Sequence, residues 1–558
     1  MDRTRRLLER GYFPSQLPPP FTTESFASWS SFLLTGWRIG AAQALVTKAE
    51  LFSVARAGHL RRPTRLPNPV SQALHAENIA THWGAFVTLF RKSRLSASHP
   101  RFLARSRRAA HIASMQHLHE RKVLGAAGYK VMLRADVSRF FPTIYTHSIP
   151  WALHGKTVAK RHRKPTAAYF GNAIDLSLRQ GRDQQTMGIP IGPDTSHIIA
   201  ESIATAVDLA FRGRLKRWPA GFRYVDDYFL FFNSVTDAEA ALAALARSLQ
   251  DFELQLNFEK TRISSTSDIS EEYWTHRLRS FDIGATGKRQ RSDLHHFFEL
   301  AKELAKQNAD ENVMKYALQR TRSVLIRKEN WDIFEAHMCS VALVYSNTLQ
   351  TVAQILTTYK HHGFTLDVGR LSRLVNTVIQ DAAPLAHHSE VAWCLWMCKS
   401  LALDLDALSV DAVAEIHSSV CLLILLDLEA SGRLPKAVKQ TYIRQFSTRD
   451  ALNDDLWLLS YEAGRRHWGG MDETHIAAHP QFDELRVLDI SFYDPGATAR
   501  LLFDIKAGAL AALQLESPAE LFDREDASDY FVYEEEDDGY DSLVTADVFN
   551  AVDEPIEN

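Results

Sequence analysis

The rhythm of apolar and polar positions changes near residue 291. Before it, short apolar runs alternate with helical stretches. Residues 129–135 form a strand-like run that ends at Asp136. Residues 222–225 and 228–232 are two aromatic runs separated by Asp226-Asp227, which predicts a hairpin with a two-residue acidic turn. Ahead of it, Ile199, Ile203, Ala206 and Ala210 recur at helical spacing, and residues 238–251 read as a further helix. The order strand, helices, hairpin, helix, strand predicts an α+β layer on an antiparallel sheet.

After about residue 291 only helical spacing remains. Leu294, Phe297, Phe298, Ala301 and Leu304 follow the i, i+3, i+4, i+7 rule, with Ser292 placed as an N-cap. Leu349, Val352, Ile355, Leu356 and Tyr359 repeat it, and Gly363 stands where a C-cap belongs. Leu371, Leu374, Val375, Val378 and Ile379 repeat it again. No clean repeat period is visible, so a HEAT-like array and an irregular bundle both fit. At the other end, Gly11-Tyr12-Phe13-Pro14 and Leu17-Pro18-Pro19-Pro20 make residues 1–30 read as an irregular lead-in. Residues 40–130 mix helical stretches with basic runs such as Arg61-Arg62-Pro63-Thr64-Arg65 and Arg91-Lys92-Ser93-Arg94.

Length and charge sharpen this division. A chain of 558 residues is too long for one core and predicts two or three domains. The formal net charge of −3 conceals +17 over residues 1–300 and −20 over the remainder. Residues 51–182 hold 23 basic against 4 acidic side chains, whereas 520–558 holds 15 acidic residues and only Arg524. A polyanion partner for the first half is one explanation, and a well-solvated surface is the other. The acidic end predicts a partly disordered tail. No apolar window is long enough to span a membrane, the N-terminus leads into no signal-like apolar region, and the four cysteines suggest no disulfide framework. These features predict a reducing cytoplasm and no membrane partner. Cys394 and Cys398 lie four apart beside Trp393 and Trp396, the pattern of a buried helix rather than a zinc site.

Three carboxylates remain for chemistry. If the strand before Asp136 neighbours the hairpin, then Asp136, Asp226 and Asp227 meet at one place. Their repulsion would be relieved by a pair of Mg²⁺ ions, which prefer oxygen ligands and leave positions for substrate phosphates. An Asp-Asp turn beside an unrelated Asp is the simpler alternative at this point.

Asp136, then Gly188-Ile189-Pro190-Ile191-Gly192, then Tyr224-Val225-Asp226-Asp227, then Leu256-Asn257-Phe258-Glu259-Lys260-Thr261 resembles palm motifs A, B, C and D of reverse transcriptases in order and spacing. The stretch from Asp136-Val137-Ser138-Arg139-Phe140-Phe141-Pro142 to Leu153 is similar to motif A of bacterial abortive-infection and defence-associated reverse transcriptases, the unknown groups. Gly11–Pro14, Arg65-Leu66-Pro67-Asn68-Pro69 and Ser96-Ala97-Ser98-His99-Pro100 fit the same branch, and weaker matches run to about residue 500.

The resemblance implies a right-hand polymerase (fingers and palm) over residues 1–290, an all-α, HEAT-like or irregular helical domain over 291–515, and an acidic tail over 516–558. It implies Asp136 and Asp226 as principal metal ligands, Asp227 as accessory carboxylate and the Val137 carbonyl as a further ligand. The cofactor would be a two-metal Mg²⁺ site, with Mn²⁺ able to substitute. Phe141 takes the place of an aromatic steric gate against the ribose 2′-hydroxyl. Gly188 and Pro190 stand beside the nucleotide, Gly188 and Gly192 allow close backbone approach, and Lys260 stands beside the leaving pyrophosphate. Tyr224 either supports a primer end or packs, and Arg107 and Arg108 are expected to bind nucleic-acid phosphates. The implied partners are RNA or DNA, dNTPs, further copies of the chain and a phage trigger protein, in a bacterial cytoplasm. Relatives of this kind protect bacteria against phage, some by synthesis without a nucleic-acid template and some by priming from a tyrosine; Tyr530, Tyr533 and Tyr540 lie in or beside the tail. One departure is Met187, where many reverse transcriptases carry glutamine. A polymerase-like scaffold without catalysis and an ordinary retroelement polymerase are the alternatives.

Overall fold

The computed structural model describes residues 2–505, apart from 39, 105, 114–117, 270–272, 285–286, 310 and 323, together with the strand Phe531–Tyr533. Its central feature is an antiparallel four-stranded sheet. The strands are β3 (Val131–Asp136), β4 (Ala220–Tyr224), β5 (Asp227–Phe232) and β6 (Arg262–Ser265), in the order β4-β5-β3-β6. An earlier hairpin consists of β1 (Glu50–Ala55) and β2 (Arg61–Leu66).

Side-chain alternation gives the larger sheet two faces. Leu133, Ala135, Tyr228 and Leu230 enter the main core. That face packs on the helix Val235–Gln250, which in turn packs on the long helix Asp194–Leu215. Phe222, Tyr224 and Phe229 form a separate cluster with Ala97 and Leu118. Register then decides the chemistry. Asp136 pairs directly with Asp227, so both carboxylates project on the same face, that of Phe229.

Several expectations need correction. The lead-in contains two helices, Arg3–Glu9 and Glu24–Trp37. The Asp2 side chain caps the first by accepting from the Arg5 amide; the proline-rich stretch is confined to the connection between them. The basic run at 61–65 is a strand, with Pro63 opposite Ser53. Proline is tolerated there because this two-stranded hairpin consists of edges. The hairpin turn is Val225-Asp226, one residue earlier than expected, because Asp227 opens β5 and pairs with Tyr224. The helix placed after Ser292 begins at Gly287 and crosses the expected boundary at 290. Gly363 has φ +78° just beyond the helix Leu349–His361, as its C-cap position requires. Within the tail, Phe531–Tyr533 pairs antiparallel with Phe503–Ile505; the rest of 516–558, with Tyr530 and Tyr540, lies outside the described residues.

The helical half is a two-row stack. Helices Val313–Thr321, Leu349–His361, His388–Leu401, Ser419–Ala430 and Trp457–Arg465 contact one another in succession. Gly287–Gln307, Trp331–Val344, Val368–Ala382 and Ala407–Ala414 form the second row. Cys394 and Cys398 are buried in the first, as the tryptophans beside them predicted.

The stack folds back onto the N-terminal region. Arg61 of β2 forms a two-point ion pair with Glu390, and Trp457 Nε1 donates to the Leu66 carbonyl at 3.2 Å. Trp393 Nε1 donates to the Gln16 carbonyl at 3.0 Å, and Phe21 bridges to Tyr493. Glu50, buried in β1, accepts from the Ser419 amide at 2.7 Å. No helix among the described residues is long and apolar enough to cross a membrane.

Candidate active site

The three aspartates meet at one end of the sheet. Asp136 closes β3, Asp227 opens β5, and Asp226 sits in the two-residue turn that joins β4 to β5. The turn is locked from three sides. Val225 N–H donates to Ser98 Oγ at 2.7 Å, and the Val225 carbonyl accepts from the Arg223 guanidinium at 2.8 Å. Val137 N–H donates to the Asp226 carbonyl at 3.2 Å. These bonds hold Val225 at φ +55°, which a β-branched residue adopts only under external constraint.

Beneath the turn is a buried ionic cluster. Arg223 is fully buried and donates to Glu201 at 2.8 and 3.0 Å and to Asp208 at 3.0 to 3.2 Å. Tyr228 and Ser93 hydroxyls also donate to Asp208, at 2.9 and 2.7 Å. Glu201 and Asp208 both belong to the helix Asp194–Leu215, so the β4–β5 hairpin is bolted to that helix.

The front carboxylates lack such compensation. Burial, followed by the charges of Asp227 and Asp136, pushes Asp226 up to about 7. Asp227 is also raised, chiefly by burial, with Arg134 opposing. Its Oδ1 is buried without a hydrogen bond, and Arg134 stands 3.9 Å away. Asn257 Nδ2 donates to Asp136 Oδ2 at 2.9 Å, and Lys260 Nζ lies 3.7 Å from Asp136 Oδ1. Among the described residues no group of three His, Cys, Asp or Glu side chains encloses an ion by itself. The donor set nevertheless fits a hard divalent ion: carboxylate oxygens, one of them orphaned, with room for water and phosphate oxygens to complete the shell.

The other predicted residues fall into two groups. Phe141 is beside the site, half-buried, with its ring edge-on to His197 at 5.3 Å. Its carbonyl accepts from the Ile189 amide at 2.9 Å, which draws the 188–192 loop against the segment after β3. Gly188 has φ +81°, and a Cβ there would fall 2.8 Å from the Pro142 carbonyl oxygen. Pro190 is buried within that loop, and Met187 is half exposed beside it. Gly192 packs against Pro14, so its close approach is to the lead-in.

Tyr224 and Arg108 are structural. Tyr224 is buried, packs in the Phe222–Phe229 cluster and donates its hydroxyl to the Ala113 carbonyl at 2.8 Å. The Arg108 guanidinium bonds Asp194 at 3.0 Å, the Gly192 carbonyl at 3.0 Å and the Phe13 carbonyl at 3.2 Å. It therefore ties the lead-in to the motif B loop and is not available to a phosphate. Arg107 is half-buried nearby. Sequence reasoning missed Ser98, Asn257, Glu201, Asp208 and Arg223 as positioning groups. Ser98 and Asn257 sit inside motif stretches and carried a signal; the ionic cluster carried none until the fold paired its members.

The comparisons agree with this geometry. The family described as Reverse transcriptase (RNA-dependent DNA polymerase) matches residues 78–292, so the chain carries a reverse transcriptase domain, the domain of RNA-directed DNA polymerases. Among individual proteins, the Retron Mx65 reverse transcriptase of Myxococcus xanthus is 27% identical over 146 residues, 24% of this chain and 33% of that protein. The chain thus spans about a third of the length of that relative. Apo telomerase from Candida tropicalis aligns over 71% of this chain and 74% of its own, with TM-score 0.32 and 10% identity. Telomerase from Candida albicans aligns over 70% and 65%, with TM-score 0.29 and 10% identity. At those scores the likeness carries no argument.

Proposed function

We propose that this chain is a divalent-metal-dependent DNA polymerase of the reverse transcriptase type that serves bacterial antiphage defence. The observation that carries the catalytic part is the meeting of Asp136, Asp226 and Asp227 in a half-buried place where Lys260 and Arg134, each nearly 4 Å away, offset only part of their charge. A scaffold has no use for that arrangement, which costs stability and returns none.

Asp136, Asp226, Asp227 and the Val137 carbonyl are the residues that would hold Mg²⁺, with Mn²⁺ as substitute. When bound, such ions activate a 3′-hydroxyl and balance the charge of departing pyrophosphate. Asn257 and Lys260 orient Asp136 from the side. Lys260, more than half exposed, is also free to swing toward a phosphate and protonate it. Phe141, held edge-on by His197, narrows the space beside the sugar and favours dNTPs. The 188–192 loop, held to Phe141 and Pro142, forms the floor beneath the base.

The defence role rests on the motif resemblance, and the retron relative is in keeping with a bacterial setting. Met187 in the usual glutamine place favours synthesis that does not depend on ordinary template contacts, including untemplated or protein-primed synthesis. The two-row helical stack is read as a HEAT-type domain that receives a phage signal and supports assembly of several copies in the cytoplasm. The deciding experiment is labelled-dNTP incorporation by the full chain with and without Mg²⁺, followed by sequencing of the co-purified nucleic acid. Metal-dependent incorporation lost in Asp226→Ala/Asp227→Ala, together with loss of phage protection, is the expected result. Full protection by that double variant would return the function to a scaffold.

A further inference from the structure

A second basic site lies away from the aspartates. Lys92, Arg94, Leu209, Arg212 and Trp218 line an open pocket of about 420 Å³. Lys92 and Arg94 come from the loop after the helix Trp83–Phe90, Arg212 from the last turn of the helix Asp194–Leu215, and Trp218 from the approach to β4. Two segments remote in sequence, the loop that carries Lys92 and Arg94 and the end of the long helix that carries Arg212, thus bring three cations around one hollow. No acidic side chain lines it, and among the described residues none of the three cations is in an ion pair. The Arg212 guanidinium lies 5.5 Å over the Trp218 ring, which restrains the fork without using its donors.

The pocket is preorganised. Ser93, between its two basic loop residues, donates to the buried Asp208 at 2.7 Å, and the Leu95 carbonyl accepts from the Arg223 amide at 2.6 Å. The loop is therefore clamped to the ionic cluster beneath the catalytic turn. From there to Ser98 it runs along β4, so the pocket is separated from the turn by the length of a five-residue strand, on the order of 15–20 Å.

We propose that this pocket is an accessory phosphate site that holds the backbone of single-stranded nucleic acid outside the catalytic cleft. A guanidinium fork, a second arginine and an ammonium around a hollow suit tetrahedral phosphate oxygens, which accept from several directions at once. The choice of nucleic acid over an acidic peptide rests on the polymerase reading, since such an enzyme must manage unpaired strand beyond its active site. Clamping to the cluster that holds the turn makes the loop a rigid hook rather than a flexible one.

The test uses the full chain and a fluorescein-labelled 20-nucleotide single-stranded RNA of mixed sequence. Anisotropy is read between 50 and 200 mM KCl for the wild type and for Lys92→Ala/Arg94→Ala/Arg212→Ala. All three side chains are exposed, and an unchanged melting temperature checks the fold. The dissociation constant should rise about tenfold, and the slope of log K against log salt should fall by about 2, roughly 0.7 for each phosphate no longer neutralised. Extension of a short preannealed primer–template should stay at the wild-type level. Arg212→Lys keeps the charge but loses the fork, and should show a smaller loss. An unchanged slope and affinity in the triple variant would overturn the proposal. So would displacement from the wild type by a polyglutamate peptide as effective as unlabelled RNA. Wild-type protein that binds RNA through this pocket but incorporates no dNTP, with or without an added primer and template, would sink the polymerase reading alone.

Discussion

The two faces of the β4–β5 hairpin bury charge on opposite rules. On the inner face, Glu201 and Asp208 are matched by Arg223 and by the hydroxyls of Tyr228 and Ser93. On the outer face, Asp136, Asp226 and Asp227 meet one amide, that of Asn257, and two cations, Lys260 and Arg134, each nearly 4 Å away. The difference appears in their protonation. Burial raises Asp208, but the attraction of Arg223 opposes it, whereas at Asp226 the two neighbouring carboxylates add to burial. A buried carboxylate that the fold has paired is a strut; one left unpaired beside two others is waiting for a cation from outside.

The largest effect should come from removing the outer charge. Asp226→Asn keeps the shape and hydrogen-bonding capacity of the turn but takes away an anionic ligand. Nucleotide incorporation should fall on the order of 10³-fold or more, because metal-borne charge stabilisation is worth several kcal/mol. Steady-state incorporation at saturating Mg²⁺ checks this. Activity within tenfold of wild type would place the metal-binding load elsewhere.

Breaking the inner face should act on stability first. Arg223→Met leaves Glu201 and Asp208 buried without a partner, at a cost of about 3–5 kcal/mol. Urea denaturation should show that loss, with incorporation reduced in the fraction that remains folded because the Val225 carbonyl loses its donor. Adding Glu201→Gln and Asp208→Asn should restore most of the stability, since the uncompensated charges then disappear. No recovery in the triple variant would mean that the cluster acts through packing rather than charge.

The contrast also explains what was legible in the chain. The outer aspartates stand at strand ends inside short, ordered motifs, so pattern and order located them. The sheet and the helices 194–215 and 235–250 follow from strict periodicity, which is strong where one face is buried. Arg223, Glu201 and Asp208 are separated by up to 22 residues, and only the register of β4 on its helix reveals them as one unit. The β1–β2 hairpin was hidden because Pro63 and three arginines mask its alternation. Arg108 was misread for a related reason. A basic run looks like a phosphate-binding surface until Asp194 and two carbonyls are seen to consume its donors.

Protonation offers a gentler way to separate the faces. Asp226 titrates near 7 in the folded protein against an ordinary value of 3.8. A raised carboxyl favours the fold when protonated, so its contribution is present in full below about pH 4 and is lost as pH rises through about 7. Metal-free protein should therefore lose about 1–2 kcal/mol between pH 5 and pH 8, after discounting for the partial exposure of this residue. Mg²⁺ should raise the melting temperature at pH 8 more than at pH 5. Asp226→Asn should flatten both dependences, and an equal pH slope in wild type and variant would assign the effect to other groups.

The smallest predicted effect isolates the turn itself. Val225 is held at φ +55° by Ser98, Arg223 and its half-buried side chain against the Phe222–Phe229 cluster. Left-handed backbone costs a β-branched residue about 1 kcal/mol or more, and asparagine less. Val225→Asn relieves that strain but gives up the apolar contact, so stability should change by no more than about 1 kcal/mol. Activity should change more than stability does. The relaxed turn no longer needs its clamps to stay in register, so Asp226 gains freedom beside Asp136. A several-fold fall in incorporation at unchanged melting temperature is the expected pattern. Ser98→Ala, which removes the clamp and keeps the strain, should lower both together. If the two variants behave alike, the strain at Val225 plays no part in presenting the outer carboxylates.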